Sequence, residues 1–404
     1  MIEVIGGSKT LKRQKIKYIN NDPTLGIDYD WKLIKKEFNK LGIPEGVFNP
    51  YNYHNVCGGK YIIDMSERNI GKTTNWLLIA MIMHELYGTE AVYMREIIDM
   101  IMPKNDGELF KTILQFGYIE KITDGQYNNV VCKSRRFYYW NTETNETASE
   151  PFLLKWSLDE NAIKKSSVQL PDSDIIIFDE IISRYNYLDE FVTFMDSIIT
   201  IIRGRACPLI VLLANTIDLH SQWWKEFEIY EDVQNLQPGQ YKVITSSEGT
   251  IVDIALAGLE NGELSVKRKE QNKRFFGFRN PKLNSIKGGA WAYNVYQHPY
   301  REPDTESLLS NRYIEHNGNL LNLEIMYNEK HQIYVVVHKA NQIYDDSVVY
   351  TLDKQLKDSR YKFKWGEKLI DTKIWKLYQR GLWTYVSNTE GSLIDDYMRN
   401  MKML

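Results

Sequence analysis

Gly71-Lys72-Thr73 lies between an apolar segment, Lys60-Tyr61-Ile62-Ile63-Asp64, and a helix-like run that continues to Gly88. That order suits triphosphate binding. Backbone N–H groups and a helix N-terminus surround the phosphates, a lysine neutralises the β- and γ-oxygens, and a hydroxyl ligates magnesium. Lys72 and Thr73 fit the last two roles, within a loop running Ser66, Glu67, Arg68, Asn69, Ile70, Gly71, Lys72, Thr73, Thr74. The usual pattern places a glycine five residues before Gly71. Ser66 stands there instead, so the triplet alone is a weak signal that a chance helix start could also produce.

A second pattern strengthens it. Ile175-Ile176-Ile177-Phe178 is followed by Asp179 and Glu180. Four apolar residues bury a parallel strand, and two acids then stand at its C-terminal end, where ligands sit in open α/β sheets. Asp179 is positioned to hold hydrated magnesium and Glu180 to polarise an attacking water. The alternative is a strand ending in two solvated acids. Asn215 ends the next apolar run, "PLIVLLAN". It either senses the γ-phosphate or caps a strand-to-helix turn. Arg203 and Arg205 flank Gly204 just before that run. They are either a solvated turn or guanidinium groups that reach a neighbouring subunit's nucleotide.

Positioning these groups requires strands alternating with helices, hence crossover connections and a parallel sheet. "AVYMRE" reads as a strand, "CKSRRFYYW" as one arm of a hairpin, and Leu188, Phe191, Met195, Ile198, Ile199 and Ile202 as a helical stripe. The expected organisation is an N-terminal extension over 1–45, a P-loop domain over 46–258, a basic linker over 259–308 and a C-terminal α/β domain over 309–404. The extension, with a short helix from Trp31 to Leu41, reads as an appendage.

The net charge of −3 argues against a general polyanion binder. It hides an asymmetry: residues 1–258 carry 27 basic and 35 acidic side chains (−8), and 259–404 carry 23 and 18 (+5). Nucleic-acid contact is therefore expected in the second part. The candidates are Lys267, Arg268, Lys269, Lys273, Arg274, Arg279 and Lys282, interleaved with Phe275, Phe276 and Phe278. A solvated linker face is the plainer alternative. Cys57, Cys132 and Cys207 form no CxxC pair, which reads as reduced thiols in a cytosolic protein. No apolar run approaches the roughly 18 residues of a membrane span, and "SKTLKRQKIK" stands where a signal peptide would be apolar.

Together these motifs resemble the φ29-type DNA-packaging ATPases of small tailed phages, related to terminase motors. "SERNIGKTT" is similar to their altered loop, with Arg68 three residues before the glycine. "FNPYNYHNV", "VYMRE", "SRRFYYW", "IIIFDE", "MDSIITIIRGR", "LLAN", "MYNEKHQIYVVV", "VYTLDKQL" and "YMRNMKM" follow the family's order from about Phe48 to the C-terminus. The resemblance implies an additional-strand P-loop ATPase domain and a C-terminal RNase H-like domain. It implies ATP and Mg2+ as ligands, and Arg203 as a trans-acting arginine finger. Arg205 and Lys165 are further candidates to act across the interface. Implied partners are double-stranded DNA, the portal of a procapsid, a structural packaging RNA, and copies of the chain in a ring of five. The implied location is the host cytoplasm, transiently at the portal vertex.

Two departures stand out. Ser66 replaces the family's glycine, and the C-terminal domain shows no acidic triad for a two-metal nuclease. It offers Glu324, with Asp345 and Asp346 at a later turn, so it reads as a binding module without nuclease activity. Another ring ATPase, such as a helicase, or a non-hydrolysing nucleic-acid-binding protein remain alternatives.

Overall fold

The computed structural model describes residues 13–66, 70–96, 106–158, 173–181, 190–215, 221–258, 270, 307–328, 332–344, 347–352, 361–362 and 369–403. It divides into two compact units, the first within residues 1–277 and the second chiefly within 278–404.

The first unit is built on a nine-stranded sheet. Its strands are β1 (Lys60–Ser66), β2 (Ala91–Arg95), β3 (Asn129–Lys133), β4 (Arg136–Trp140), β5 (Leu153–Ser157), β6 (Ile175–Asp179), β7 (Leu209–Asn215), β8 (Gln240–Thr245) and β9 (Ile251–Ala257). Their order is β3-β4-β5-β2-β6-β7-β1-β9-β8. The six from β5 to β9 run parallel, and β3, β4 and β8 add antiparallel edges. β7 thus lies between the strand that leads into the glycine loop and the one that ends in the acid pair. In register, Ser66 stands opposite Asn215 and Asp179 opposite Leu213. The polar ends of the central strands therefore meet at one edge.

β6 is buried throughout, as a continuous apolar run on a central parallel strand requires. Helix α3 (Lys72–Tyr87), counted after α1 (Trp31–Lys40) and α2 (Pro50–Tyr53), is apolar on nearly every side. Such a helix must be covered all round, and α1 and α2 pack against it. Gly88 ends it in a left-handed cap at φ 77°.

The described part of the N-terminal stretch is no appendage. Tyr29, Ile34 and Phe38 belong to the same hydrophobic cluster as Trp76 and Leu77 of α3. The Asp30 carboxylate caps α1 by accepting from the Leu33 N–H at 3.0 Å. A hairpin is present within residues 129–156, as expected, but the run 132–140 is not a single arm of it. Ser134 and Arg135 turn at φ 50° and 70°, so Cys132 lies on β3 and Phe137 opposite it on β4.

The second unit holds a six-stranded mixed sheet of β10 (Ser307–His316), β11 (Asn319–Tyr327), β12 (Ile333–Lys339), β13 (Val349–Thr351), β14 (Tyr361–Lys362) and β15 (Trp383–Tyr385). The order is β14-β13-β10-β11-β12-β15. β10, β11 and β12 form an antiparallel meander, and β13 joins β10 in parallel. The Asn317-Gly318 turn has positive φ at both residues, as a tight hairpin requires. Helices Leu369–Gln379 and Asn388–Met403 supply Ile374, Ile394 and Tyr397 to the core on Leu321, Leu323, Val335 and Val337.

Candidate active site

At the C-terminal edge of the first sheet lies a cavity of about 640 Å3. Gly71, Lys72, Thr73, Asp179, Glu180 and Asn215 form its polar wall, and Ile43, Val47, Phe116 and Tyr118 its apolar one. Its size and mixed lining are those of a small-molecule site.

β1 brings the chain to Ser66. Glu67, Arg68 and Asn69 lie outside the described residues. Ile70 resumes the path, its carbonyl accepting from the Phe48 N–H at 2.8 Å. Gly71 then turns at φ 97°, and a Cβ there would sit 2.7 Å from Val47 Cγ1. Both the backbone angle and the close approach demand glycine. Lys72 opens α3, its side chain folded inward so that Nζ donates to Ser66 Oγ and, at 3.5 Å, to the Ser66 carbonyl. Ser66 therefore holds the ammonium inside the loop, a contact that a glycine side chain could not make.

The two motifs meet directly. Thr73 Oγ1 donates to Asp179 Oδ2 at 3.0 Å, and Tyr93 Oη donates to the same oxygen at 2.9 Å. Burial, and then the charge of Asp179, push the Tyr93 phenol well above its usual range, so it stays a donor. A hydroxyl beside a carboxylate is a hard-oxygen pair of the kind magnesium takes, leaving room for water and phosphate oxygens.

Glu180 stands just beyond β6 at φ 61°, a left-handed conformation that L-residues seldom adopt. The next residue returns to the sheet, with Ile181 N–H donating to the Leu213 carbonyl at 3.1 Å. Both carboxylate oxygens are engaged. Arg95 donates to Oε2 at 2.6 Å, and Asn215 Nδ2 to Oε1 at 3.3 Å. Burial alone disfavours the Arg95 charge, but the Asp179 and Glu180 carboxylates outweigh it and hold the guanidinium protonated.

The structure thus brings together Ser66, Ile70, Gly71, Lys72, Thr73, Thr74, Asp179, Glu180 and Asn215 around one cavity. It places Arg203 and Arg205 elsewhere. They precede β7, whose run to Asn215 is about 20 Å at 3.3 Å per residue. Arg203 is exposed at φ 46°. Arg205 is only 14% exposed and faces Asp174 at 3.8 Å, beside the N-terminal stretch that Tyr29 Oη ties to Asp174 at 2.8 Å. Glu324 lies within 3.2 Å of His338 in the second sheet. Lys165, Asp345, Asp346 and Lys267, Arg268, Lys269, Lys273, Arg274, Arg279 and Lys282 lie outside the described residues.

Tyr93 and Arg95 escaped the sequence reading, although "VYMRE" contains both. The signal was a charged residue closing a buried strand, but its neighbour is known only from the register, which sets Met94 beside Phe178.

No family profile matches the chain, and no curated protein sequence matches it. Solved structures do. The chain is similar to a subunit of the bacteriophage Phi-29 viral genome packaging motor assembly, with a TM-score of 0.52 and 15% identity, over 88% of this chain and 99% of that one. It also aligns with the Phi-28 gp11 DNA packaging motor (TM-score 0.47, 14% identity, 89% and 99% covered). A third match is the N-terminal domain of the DNA packaging ATPase from bacteriophage phi29 (0.37, 16%, 52% and 95%). The last two scores are too low to carry a comparison. The first establishes a shared fold across both units.

Proposed function

We propose that the chain is the ATPase subunit of a viral genome-packaging motor, hydrolysing ATP to drive double-stranded DNA into a procapsid. The observation that carries the ATPase reading is the Thr73–Asp179 hydrogen bond, which joins the glycine-loop helix to the acid-bearing strand at one cavity. β7, inserted between β1 and β6, supports the additional-strand class of P-loop ATPase. In the second sheet, a three-strand meander with β13 and β14 added in parallel beside β10 supports an RNase H-like domain. The Phi-29 likeness over both units directs the reading to packaging.

Lys72 offsets the charge of the β- and γ-phosphates, and the backbone at Gly71 admits them closely. Thr73 and Asp179 would hold Mg2+, which, when bound, neutralises charge developing on the transferred phosphoryl group. Glu180 takes the proton of the attacking water. Its oxygens already accept from Arg95 and Asn215, which orient the carboxylate and leave its remaining lone pairs for water. Arg203 lies at the opposite edge of its own sheet, so a role at phosphate requires a neighbour's cavity. Val192 and Ile199, seven residues apart on helix Glu190–Ile202 and 64% and 68% exposed, share a face, and the exposed Arg203 follows the helix's last residue. An apolar stripe ending in an exposed arginine suits a subunit contact in a ring, proposed as a pentamer. The basic segment 267–282 is proposed to track DNA or a packaging RNA, and the second unit to serve as a binding module without cleavage.

The test is phosphate release by purified chain. Glu180→Gln is expected to lower kcat by about a hundredfold or more while retaining ATP binding. Lys72→Ala is expected to lose binding itself. Turnover unchanged in Glu180→Gln would overturn the assignment.

A further inference from the structure

The first unit has a second cavity, of about 490 Å3, that the proposed chemistry does not use. We infer that it holds a nucleotide unit, one phosphate with one unstacked base, apart from the ATP cavity. The inference is independent of the motor reading.

Its walls come from α1, α2 and β8. Lys32 and Lys35 stand one turn apart on the exposed face of α1. Trp31 and Tyr51 lie beside them, with the Lys35 ammonium 5.3 Å from the centre of the Tyr51 ring. Opposite, β8 forms the sheet's edge and presents Tyr241 and Val243 to solvent, 59% and 57% exposed. The Tyr51 hydroxyl is itself shielded from water, so Tyr51 meets the cavity through its ring.

The floor is rigid and charged. His54 is fully buried, with Nδ1 2.7 Å from Asp253 and Nε2 2.8 Å from Asp64. Asp253 also accepts from Lys60 at 2.6 Å, and Asp64 from the Trp76 indole at 2.6 Å. Burial works against the His54 charge, but the two carboxylates outweigh it and raise the imidazole to about 9. His54 and Lys60 are matched by Asp64 and Asp253, which leaves Lys32 and Lys35 as the cavity's uncompensated charges.

Positive charge selects an anion, and flat aromatic faces select a base rather than a bare phosphate. The cavity is too small for a duplex, so the base enters unpaired. Lys32 and Lys35 take the phosphate, and Tyr51 and Tyr241 offer ring faces. Residues 43–56 line both cavities in turn: Ile43, Pro44 and Val47 face the ATP cavity, and Tyr51 to Val56 face this one. The occupant therefore sits one short segment away from Gly71.

The experiment is photocrosslinking of the full chain to oligothymidylate carrying 5-iododeoxyuridine, followed by peptide mapping. Crosslinks are expected at Trp31, Tyr51 or Tyr241. They should fall at least tenfold in the double variant Lys32→Glu, Lys35→Glu, whose ATP affinity stays that of the wild type. Displacement by thymidine monophosphate would identify a free nucleotide as the source, and displacement by oligonucleotide alone a strand; either supports the site. Crosslinks absent from those three rings, or a yield unchanged in the double variant, would overturn it. A wild-type chain without ATP turnover would count against the motor reading alone.

Discussion

Two residues at the glycine-loop cavity hold backbone conformations that most side chains avoid, and they do so for different reasons. Gly71 at φ 97° lets the chain enter α3 while passing within reach of Val47. Gly71→Ala should cost about 1–3 kcal/mol in strain and weaken ATP binding, measurable by thermal melting and nucleotide titration. Adding Val47→Ala should recover only part of the loss, since it relieves the clash and not the angle. Glu180 at φ 61° has no such substitute, because its carboxylate is the group being positioned. Its anchors also show where sequence reading stops. Lys72, Thr73, Asp179 and Glu180 were legible because motif spacing and burial pattern reveal them. Arg95 and Tyr93 were not, because their roles depend on β2 lying beside β6, a pairing between residues more than eighty positions apart. The replacement of glycine by Ser66 gains a physical account only in three dimensions, where its oxygen atoms accept from Lys72.

At the scale of elements, β1, α3, β6 and β7 follow from long apolar runs bounded by polar ends, the pattern that sequence states most clearly. The N-terminal stretch does not. Its core contributions, Tyr29, Ile34 and Phe38, are separated by lysines and acids, so the polar composition hid a helix packed on α3. The buried network of His54, Asp64, Asp253 and Lys60 was equally hidden, since it joins a loop to two strands. It carries a pH signature. A histidine raised from 6.5 to about 9 contributes stability that is complete below pH 6.5 and is lost as pH rises through 9. A displacement of that size corresponds to stability on the order of 3 kcal/mol. Urea melts of wild type should show that decline, and His54→Gln should flatten it; equal slopes would remove His54 as its source. His84 has the opposite sign: burial lowers it to about 4, so its stability is present above pH 6.5 and lost as pH falls through 4. For helix Glu190–Ile202, Val192→Glu with Ile199→Glu should prevent ring assembly on light scattering while ATP binding persists. Assembly unaffected by both charges would place the subunit contact elsewhere. Arg203→Ala subunits mixed into wild-type rings should lower turnover by more than their share. A loss in simple proportion would mean that each site works with its own arginine.

At the scale of the molecule, the charge asymmetry read from sequence, −8 before residue 259 and +5 after it, coincides with the division into two units to within a few tens of residues. The second unit's mixed sheet shows in its alternating apolar residues, but its strand order comes from long-range pairing that no local pattern specifies. The TM-score of 0.52 at 15% identity makes the same point: the architecture is kept while most side chains differ. The cavity's lysine, threonine and two acids are the groups that phosphoryl transfer requires. Movement of DNA by this chemistry would show as protection from nuclease. Procapsids and DNA from the chain's own source would be incubated with the purified chain and ATP, and the DNA surviving nuclease treatment measured. Protected DNA is expected with ATP and wild-type chain, and none with Glu180→Gln. Protection by Glu180→Gln equal to that by wild type, or ATP turnover by wild type on intact procapsids without any protected DNA, would contradict that expectation.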